Sequence, residues 1–240
     1  MSEDQAHNAA SRLANITTMW TLLEAAHHEG ASTKEAQTAL LQRYGGAVYR
    51  YLLAAVRDPH VADDLTQEFA LRLIRGGFRH ADPNKGRFRD YLKTSLFHLV
   101  SEYRRHRGPR IVDQSVHQLA DPAAVAPDQE EAEFLSGWRD ELLAKAWEAL
   151  REKNETLFET LKLKSEAPQL SSEQLAEQLS QSRDQAVTPA AIRQQLRRAR
   201  DVFAAALRDE IAFSLSHPSD EEVDEELRQL DLWRFVERRQ

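Results

Sequence analysis

The sequence predicts an all-α fold, with two helical modules joined by a linker and short helical extensions at both ends. Ala, Leu, Glu, Gln and Arg dominate the 240 residues, whereas Gly and Pro occur only eight times each, and the dominant residues are the ones that favour helices. Apolar residues recur at spacings of three and four, which places them on one helix face. Alternating runs of β-branched and polar residues, which would indicate strands, are absent from the sequence.

Composition narrows the classes of protein to which the chain can belong. The sequence contains no cysteine, which excludes a disulfide scaffold and zinc sites with Cys ligands. No apolar run has the length of a membrane-spanning helix and the N-terminus is polar, so we expect no signal peptide, no membrane insertion and a cytoplasmic location. The net charge is −7, but basic and acidic residues lie in separate stretches, and local fields matter more than the sum.

The N-terminal extension, residues 1–33, is expected to contain one short helix. Apolar residues recur there at helical spacing, namely Ile16, Met19, Trp20 and Leu23. His27 and His28 follow, but adjacent side chains on a helix point in different directions and no carboxylate cluster accompanies them. The sequence also lacks a P-loop, a G-x-S-x-G and an H-E-x-x-H motif. We therefore predict no metal site, no cofactor and no enzymatic activity.

The first module, residues 34–110, begins with a helix that Ser32 and Glu35 open as a capping box. The predicted buried face of this helix consists of Leu41, Tyr44, Val48, Tyr51, Leu52 and Val56. Asp58 and Pro59 then stop the helix and start the next one, with Asp58 as the N-cap and Pro59 at the first helical position.

The next helix, residues 61–74, has an apolar stripe and an acidic side. The stripe has a spacing of four and consists of Val61, Leu65, Phe69 and Leu73. The other side carries the acidic surface, which we define as Asp63, Asp64, Gln67 and Glu68. Three interpretations stay open: acids favoured by the helix dipole with a Glu68–Arg72 pair, a docking face for a basic partner, and a metal-dependent helical enzyme using these carboxylates. Gly76 and Gly77 end the helix.

The stretch from Lys85 to Arg107 combines an apolar face with a basic one. The apolar face consists of Phe88, Leu92, Leu96, Leu99, Val100 and Tyr103. The basic surface, with the aromatic residues at its start, consists of Lys85, Arg87, Phe88, Arg89, Tyr91, Lys93, Arg104, Arg105 and Arg107. Cations neutralise phosphates and flat rings stack on unpaired bases, so this stretch suits a strand of nucleic acid. The alternative is an amphipathic helix with a solvated basic face.

A linker rich in Pro, Ala and acids is expected at residues 111–133, and a second module follows at residues 134–212. In this module Ser171 and Gln174 cap a short helix, SQSRDQAV forms a turn, and Thr188 opens a long helix. The long helix buries Ile192, Leu196, Ala199, Phe203, Leu207 and Ile211. Its opposite face carries Arg193, Gln194, Arg197, Arg198 and Arg200. This order is typical of a helix-turn-helix, whose second helix enters the major groove of DNA.

The remaining residues, 213–240, are predicted to form an acidic helix that Ser219 and Glu222 cap. Its apolar stripe consists of Val223, Leu227, Leu230 and Trp233. We expect this helix to complete a core, and the alternative is that it shields a basic DNA-binding face.

The first module resembles region two of the extracytoplasmic-function sigma factors, the small promoter-specificity subunits of bacterial RNA polymerase, in the order YGGAVYRYLLAAV, DPHVADDLTQEFALRLI, GRFRDYL and LVSEYRRHRG. In that family the acidic helix docks on the polymerase clamp, and the following loop and helix melt the minus-ten promoter element. The resemblance implies that the acidic surface faces the polymerase and the basic surface faces DNA. The family usually has Trp where Tyr91 stands and Asn where His98 stands.

The second module resembles region four of the same family in LAEQL and TPAAIRQQLRRARDVFAAAL. This resemblance implies binding of the minus-thirty-five element by Thr188, Arg193, Gln194, Arg197, Arg198 and Arg200. The N-terminal TTMWTLLEAA and the long turn SQSRDQAV are similar to a subgroup with both features.

Together these patterns predict a sigma factor that binds bacterial core RNA polymerase and promoter DNA, recognises a two-part promoter and initiates DNA melting. An anti-sigma factor or another regulator is a candidate further partner. The alternative from the same class of DNA-binding proteins is a helix-turn-helix regulator that acts without entering the polymerase and has no use for the acidic surface.

Overall fold

A computed structural model describes residues 19–27, 33–78, 81–82, 87–107, 127–183, 186–216 and 218–237. Within these ranges the regular structure is entirely helical, which confirms the predicted all-α fold class. The helices are α1 Met19–Ala25, α2 Thr33–Val56, α3 Pro59–Ile74, α4 Phe88–Arg107, α5 Pro127–Lys153, α6 Glu155–Glu166, α7 Ser172–Arg183, α8 Pro189–Ser214 and α9 Asp220–Gln229, followed by a 3-10 turn at Trp233–Phe235. No helix in the described part of the chain is both long enough and apolar enough to cross a membrane.

The described residues divide into two compact units. The first holds those up to Glu141 together with 213–218, and the second holds Leu142–Ala212 and those from Ser219 onward. Helix α5 therefore contributes its first half to the first unit and its second half to the second unit. The predicted boundary, at which the linker ends at residue 133 and the second module begins at residue 134, lies within α5. Residues 111–126 of the predicted linker lie outside the described ranges.

The first half of α5 belongs to the first unit because two of its aromatic side chains fill that core. Phe134 is 3% exposed and lies edge-on to Tyr51, with ring centroids 5.6 Å apart. Trp138 is 1% exposed and stacks on Tyr44 at 5.3 Å. Helical periodicity does not specify which core a helix face packs against.

Local capping signals formed as the sequence predicts. The Asp58 carboxylate accepts hydrogen bonds from the backbone N–H groups of His60 and Val61, at 3.0 and 3.3 Å, and starts α3. Beyond its end, Gly76 adopts a left-handed φ of 82°, which glycine tolerates without strain. The N–H of Gly77 donates to Arg72 O at 2.8 Å, and a Cβ there would lie 2.9 Å from that oxygen. The predicted capping Ser32 lies outside the described residues.

The second unit shows three more predicted caps. Ser171 and Gln174 bond reciprocally at 2.8 and 3.3 Å, and the Thr188 hydroxyl accepts from the N–H of Ala191 at 3.2 Å. Ser219 and Glu222 form the predicted capping box of α9. Each pair satisfies donors that a helix start leaves without an intrahelical partner, so these short sequence signals place the helix starts directly.

Helix α9 packs into the second unit through Val223, Leu227 and Leu230, which are at most 1% exposed. The Arg208 guanidinium on α8 donates to the carboxylates of Asp220, at 3.0 Å, and of Asp224. Trp233, the last predicted member of the stripe, is half-buried, with the Arg228 guanidinium 4.4 Å above its ring. The C-terminal helix thus completes the core of the second unit.

Candidate functional site

The acidic surface lies on α3, opposite the side that the core buries. Asp63, Asp64 and Gln67 are exposed and Glu68 is half-exposed. The stripe behind them is buried, as the periodicity predicts, and consists of Val61, Leu65, Phe69 and Leu73. Among the described residues no group of three or more His, Asp or Glu side chains could hold a metal ion.

Arg72 fixes one edge of the acidic surface and ties α3 to α4. Its Nε donates to Glu68 Oε1 at 2.8 Å, which confirms the pair expected from the spacing of four. Its Nη2 donates to Glu102 Oε2 at 2.7 Å. The hydrogen bond from Arg72 lowers the pKa of the Glu102 carboxyl, and bonds to Glu68 and then Glu102 raise the pKa of Arg72. The Glu68 side chain is therefore oriented, whereas Asp63 and Asp64 project to solvent.

Two apolar side chains extend the acidic surface toward the end of α3, and sequence reasoning missed them. Leu71 is 41% exposed and Ile74 is 51% exposed. They follow Gln67 by four and seven residues, so they share its side of the helix. Their register differs from that of Leu65, Phe69 and Leu73, and this departure from the buried stripe was the signal available in the sequence.

The apolar face of α4 enters the core as predicted. Leu92, Leu96, Leu99 and Val100 are at most 3% exposed. Phe88 is 5% exposed, with its ring 5.4 Å from Tyr44 and 6.0 Å from Trp20. Phe88 shares the register of Leu92 and Leu96, so its place in the core follows from the same periodicity. The structure therefore buries a ring that the resemblance directs toward DNA.

Some cations of the basic surface are buried or bound to other residues of the first unit. Arg89 is 7% exposed, with its Nε 3.6 Å from Asp90 Oδ1. The Lys93 ammonium donates to Glu131 of α5 at 2.7 Å, and Arg104 Nη2 donates to the backbone oxygen of Ala55 at 3.1 Å. Arg105 is exposed.

Three further positions complete the basic surface. Arg87 is half-exposed. Lys85 lies outside the described residues, and so does the side chain of Arg107. Internal contacts of the first unit therefore involve several cations of this surface, namely Arg89, Lys93 and Arg104.

Tyr91 lies at the rim of an apolar cavity in the first unit. Its ring is half-buried, 5.8 Å from Phe78 and 6.4 Å from Trp20. The cavity is lined by residues from α1, α2, α3 and α4 and by Phe78, with Leu23, Tyr44, Phe69 and Tyr91 among them. Burial raises the pKa of the Tyr91 phenol above its usual value. A flat group can therefore stack on the Tyr91 ring only if it reaches this cluster of aromatic side chains.

Phe97 is a second candidate aromatic residue that sequence reasoning did not assign. It is 43% exposed on α4, with its ring 6.3 Å from the exposed His98. Phe97 stands outside the apolar register of Leu92, Leu96 and Leu99, and this was the signal that could have identified it.

The two helices of the predicted helix-turn-helix are α7 and α8, which pack against each other in the second unit. A buried cluster of Leu175, Ala176 and Leu179 on α7 packs with Ile192 and Leu196 on the first half of α8. Helix α7 continues to Arg183, so half of the predicted turn SQSRDQAV is helical. Ser180 and Ser182 are compatible with this helix because their hydroxyl groups are satisfied within it. They donate to backbone oxygens one turn earlier, at 2.6 and 3.2 Å. The connection between α7 and α8 is therefore only residues 184–188.

The residues of α8 that the resemblance directs toward DNA are all exposed, namely Thr188, Arg193, Gln194, Arg197, Arg198 and Arg200. Arg193 lies 3.6 Å from Glu173 of α7, a separation at which an exposed pair is weak. Arg197, Arg198 and Arg200 form no ion pair with any described residue. These three side chains can therefore contact phosphates and base edges without first breaking a described ion pair, whereas Arg193 would leave Glu173.

Comparison with known families adds one finding. Residues 40–110 match the family model described as sigma-70 region 2. These residues include all of α3 and α4 and most of α2, and the match ends before α5. The match covers less than a third of the chain and shows that this stretch is similar to that region. No curated protein and no solved structure matches the chain.

Proposed function

We propose that the protein is a sigma factor of the extracytoplasmic-function type that binds bacterial core RNA polymerase, recognises a two-part promoter and initiates DNA melting. The observation that carries this proposal is the family match over α3 and α4, the two helices that bear the acidic and the basic surfaces. Separate faces of opposite charge suit a protein that binds a basic protein surface and a nucleic acid at the same time.

The polymerase-binding role falls to the acidic surface, Asp63, Asp64, Gln67 and Glu68. Exposed Leu71 and Ile74 beside it support this role, because an interface core is apolar and charge at its rim steers the encounter. The bond from Arg72 holds Glu68 in one orientation before the partner arrives. A partner with basic and apolar side chains side by side would match this face.

The minus-ten role falls to α4 and the loop before it. Arg87, Lys93, Arg104 and Arg105 would neutralise phosphates of the opened strand, and Tyr91 would stack on an unpaired base. Lys85 and Arg107 belong to this set on the basis of the resemblance. We assign Phe88 and Arg89 a different part, in which they position α4 from within the core, because both are at most 7% exposed. Lys93 and Arg104 would exchange internal partners for phosphates.

The minus-thirty-five role falls to α8, with α7 supporting it. Arg and Gln side chains read guanine and adenine edges in the major groove, and Arg193, Gln194, Arg197 and Arg198 are exposed on the first half of the helix. Thr188 at the N-cap and Arg200, more than three turns further along, would contact the DNA backbone.

The experiment that tests this proposal measures binding of the chain to purified core RNA polymerase. Asp63→Lys with Asp64→Lys should weaken binding by at least about tenfold, the effect of about 1.4 kcal/mol, because like charges would then face each other. We choose these two carboxylates, since Glu68 also holds Arg72. The matched control, Glu148→Lys with Glu221→Lys, makes the same change in net charge at exposed positions of the second unit.

Equal binding by the two variants would contradict the assignment of the acidic surface. A wild-type chain that binds duplex DNA but not the polymerase would instead favour the regulator that acts alone. We retain this second candidate because the basic face of α8 is exposed and can bind duplex DNA by itself.

A further inference from the structure

Helix α1 covers the ring that the proposed function assigns to base stacking. The Trp20 indole lies 6.4 Å from the Tyr91 ring and 6.0 Å from the Phe88 ring, centroid to centroid. Trp20 itself is 8% exposed, and its neighbour Met19 is fully buried. An aromatic side chain from the N-terminal extension therefore lies against the aromatic residues at the start of α4.

The contact between α1 and this cluster leaves space unfilled. The apolar cavity is lined by Leu23 of α1, by three further leucines, and by the rings of Tyr44, Phe69, Phe78, Phe88 and Tyr91. Protein interiors are normally packed to the density of organic crystals, and a gap removes favourable contacts from its walls. Because Leu23 is one of its walls, this cavity leaves the packing of α1 on the first unit incomplete.

Apolar side chains attach α1 to the first unit, since Met19, Leu23 and Ala26 are at most 3% exposed. The Trp20 Nε1 atom is buried without a hydrogen-bond partner among the described residues, and burying such a donor is unfavourable. Gln37 of α2 provides a polar tie, since its Nε2 donates to Ala26 O at 3.0 Å. The attachment of α1 therefore includes buried apolar packing, to which the Trp20 ring contributes without a partner for its N–H among the described residues.

We propose that α1 is a displaceable cover, in which Trp20 occupies the place on Tyr91 that an unpaired base takes when α4 holds single-stranded DNA. This inference rests on the proposed function. In the free protein the covered state predominates, so the affinity for a strand is reduced by the fraction of molecules in which the ring is accessible. The device would keep the free chain from binding single strands and expose the ring only when melted DNA competes with Trp20.

The test compares full-length variants for binding to a fluorescent single-stranded oligonucleotide pool of random sequence and to an abasic strand of the same length. Trp20→Ala should tighten binding to the base-containing pool at least about threefold, because the competing ring is gone, and leave abasic binding unchanged. In the background of Tyr91→Ala the same substitution should have no effect, since coupled residues are non-additive. Trp233→Ala, which removes an indole from the second unit, is the matched control.

A second variant distinguishes loss of the cover from a folding defect. Gln37→Ala keeps every ring and removes the hydrogen bond to Ala26, so it should tighten base-dependent binding in the same direction but less, in a protein whose circular dichroism is that of the wild type. Unchanged or weaker binding by both variants would overturn the cover and make α1 a permanent part of the core. Absence of strand binding by every variant, wild type included, would overturn the proposed function as well, so the two failures are distinguishable.

Discussion

Helices α4 and α8 carry the same kind of sequence, an apolar stripe with cations on the remaining surface, yet the structure uses them differently. On α8 the candidate contact residues are all exposed. On α4 Phe88 and Arg89 are buried, and Lys93 and Arg104 have partners within the first unit. Charge patterning therefore identified two basic helices correctly but not how much of each surface is available.

The number of neighbours explains this difference. Helix α4 contacts α1 through Phe88, α2 through Phe88 and Arg104, α3 through Glu102 and α5 through Lys93. The first half of α8 contacts α7 mainly through one compact apolar cluster. A helix surrounded by partners must place even basic residues among them. Helix α4 therefore has a structural role besides the binding role that we propose, whereas the proposed reading face of α8 is exposed.

The largest expected effect separates these two roles on α4. Phe88→Ala should lower the free energy of unfolding by about 3–5 kcal/mol, because a large core ring leaves a cavity. Phe97→Ala, a substitution on the exposed side of the same helix, is the control and should change stability by at most about 0.5 kcal/mol. Chemical denaturation monitored by circular dichroism measures both. A Phe88→Ala protein as stable as Phe97→Ala would show that Phe88 is not a core residue.

On α8 we expect loss of binding without loss of stability. Arg197→Ala with Arg198→Ala should weaken binding to duplex promoter DNA about a hundredfold, since a bidentate contact to a base is worth about 1–3 kcal/mol. Lys34→Ala with Lys153→Ala removes the same charge from exposed positions elsewhere and should have little effect. Fluorescence anisotropy at fixed salt makes this comparison. Equal losses in the two double variants would reduce the role of α8 to nonspecific charge.

Tyr91→Ala should affect the melting step rather than polymerase binding. Base–aromatic stacking contributes about 1–3 kcal/mol per base, so promoter opening by the holoenzyme should slow about tenfold. Tyr91→Phe retains the flat ring and should open promoters at nearly the wild-type rate. Permanganate footprinting follows the unpaired bases over time. Normal melting by Tyr91→Ala would remove this residue from the mechanism.

The smallest effect concerns the pH dependence of the first unit. Burial raises the pKa of Tyr91 in the folded protein above its value in the unfolded chain, about 10. The neutral phenol therefore contributes stability that is complete below pH 10 and is lost as the pH rises through the folded pKa. Above pH 10 the wild type should lose stability relative to Tyr91→Phe, with a slope of at most about 1.4 kcal/mol per pH unit. Parallel curves in urea denaturation would contradict the burial of this group.

Local signals predicted most of the fold. The all-α class, the caps at Asp58, Thr188 and Ser219, and the buried stripe of α3 all depend on neighbouring residues, and the structure confirms each. Tertiary contacts were harder to predict from the sequence. Nothing local to Phe134 or Trp138 specifies that they pack on Tyr51 and Tyr44, because a helix stripe is compatible with any apolar partner.

The candidate site was predictable to a similar extent. Exposure of Asp63 and Asp64 followed from the register of α3, and exposure of Arg197 and Arg198 followed from that of α8. The position of Trp20 against Tyr91 could not be predicted from the sequence, because α2 and α3 lie between α1 and α4 along the chain. The docking of α1 also depends on the shape of the cavity that its residues share with the other helices.

Transcription by purified core RNA polymerase on a pool of genomic promoter fragments tests the central claim most directly, namely that α3 binds the polymerase while α4 captures opened DNA. We predict that adding the protein produces transcripts from discrete start sites, with permanganate-reactive bases at their upstream edge. Transcription that does not rise above that of core polymerase alone, from a folded chain that still binds duplex DNA, would contradict the account.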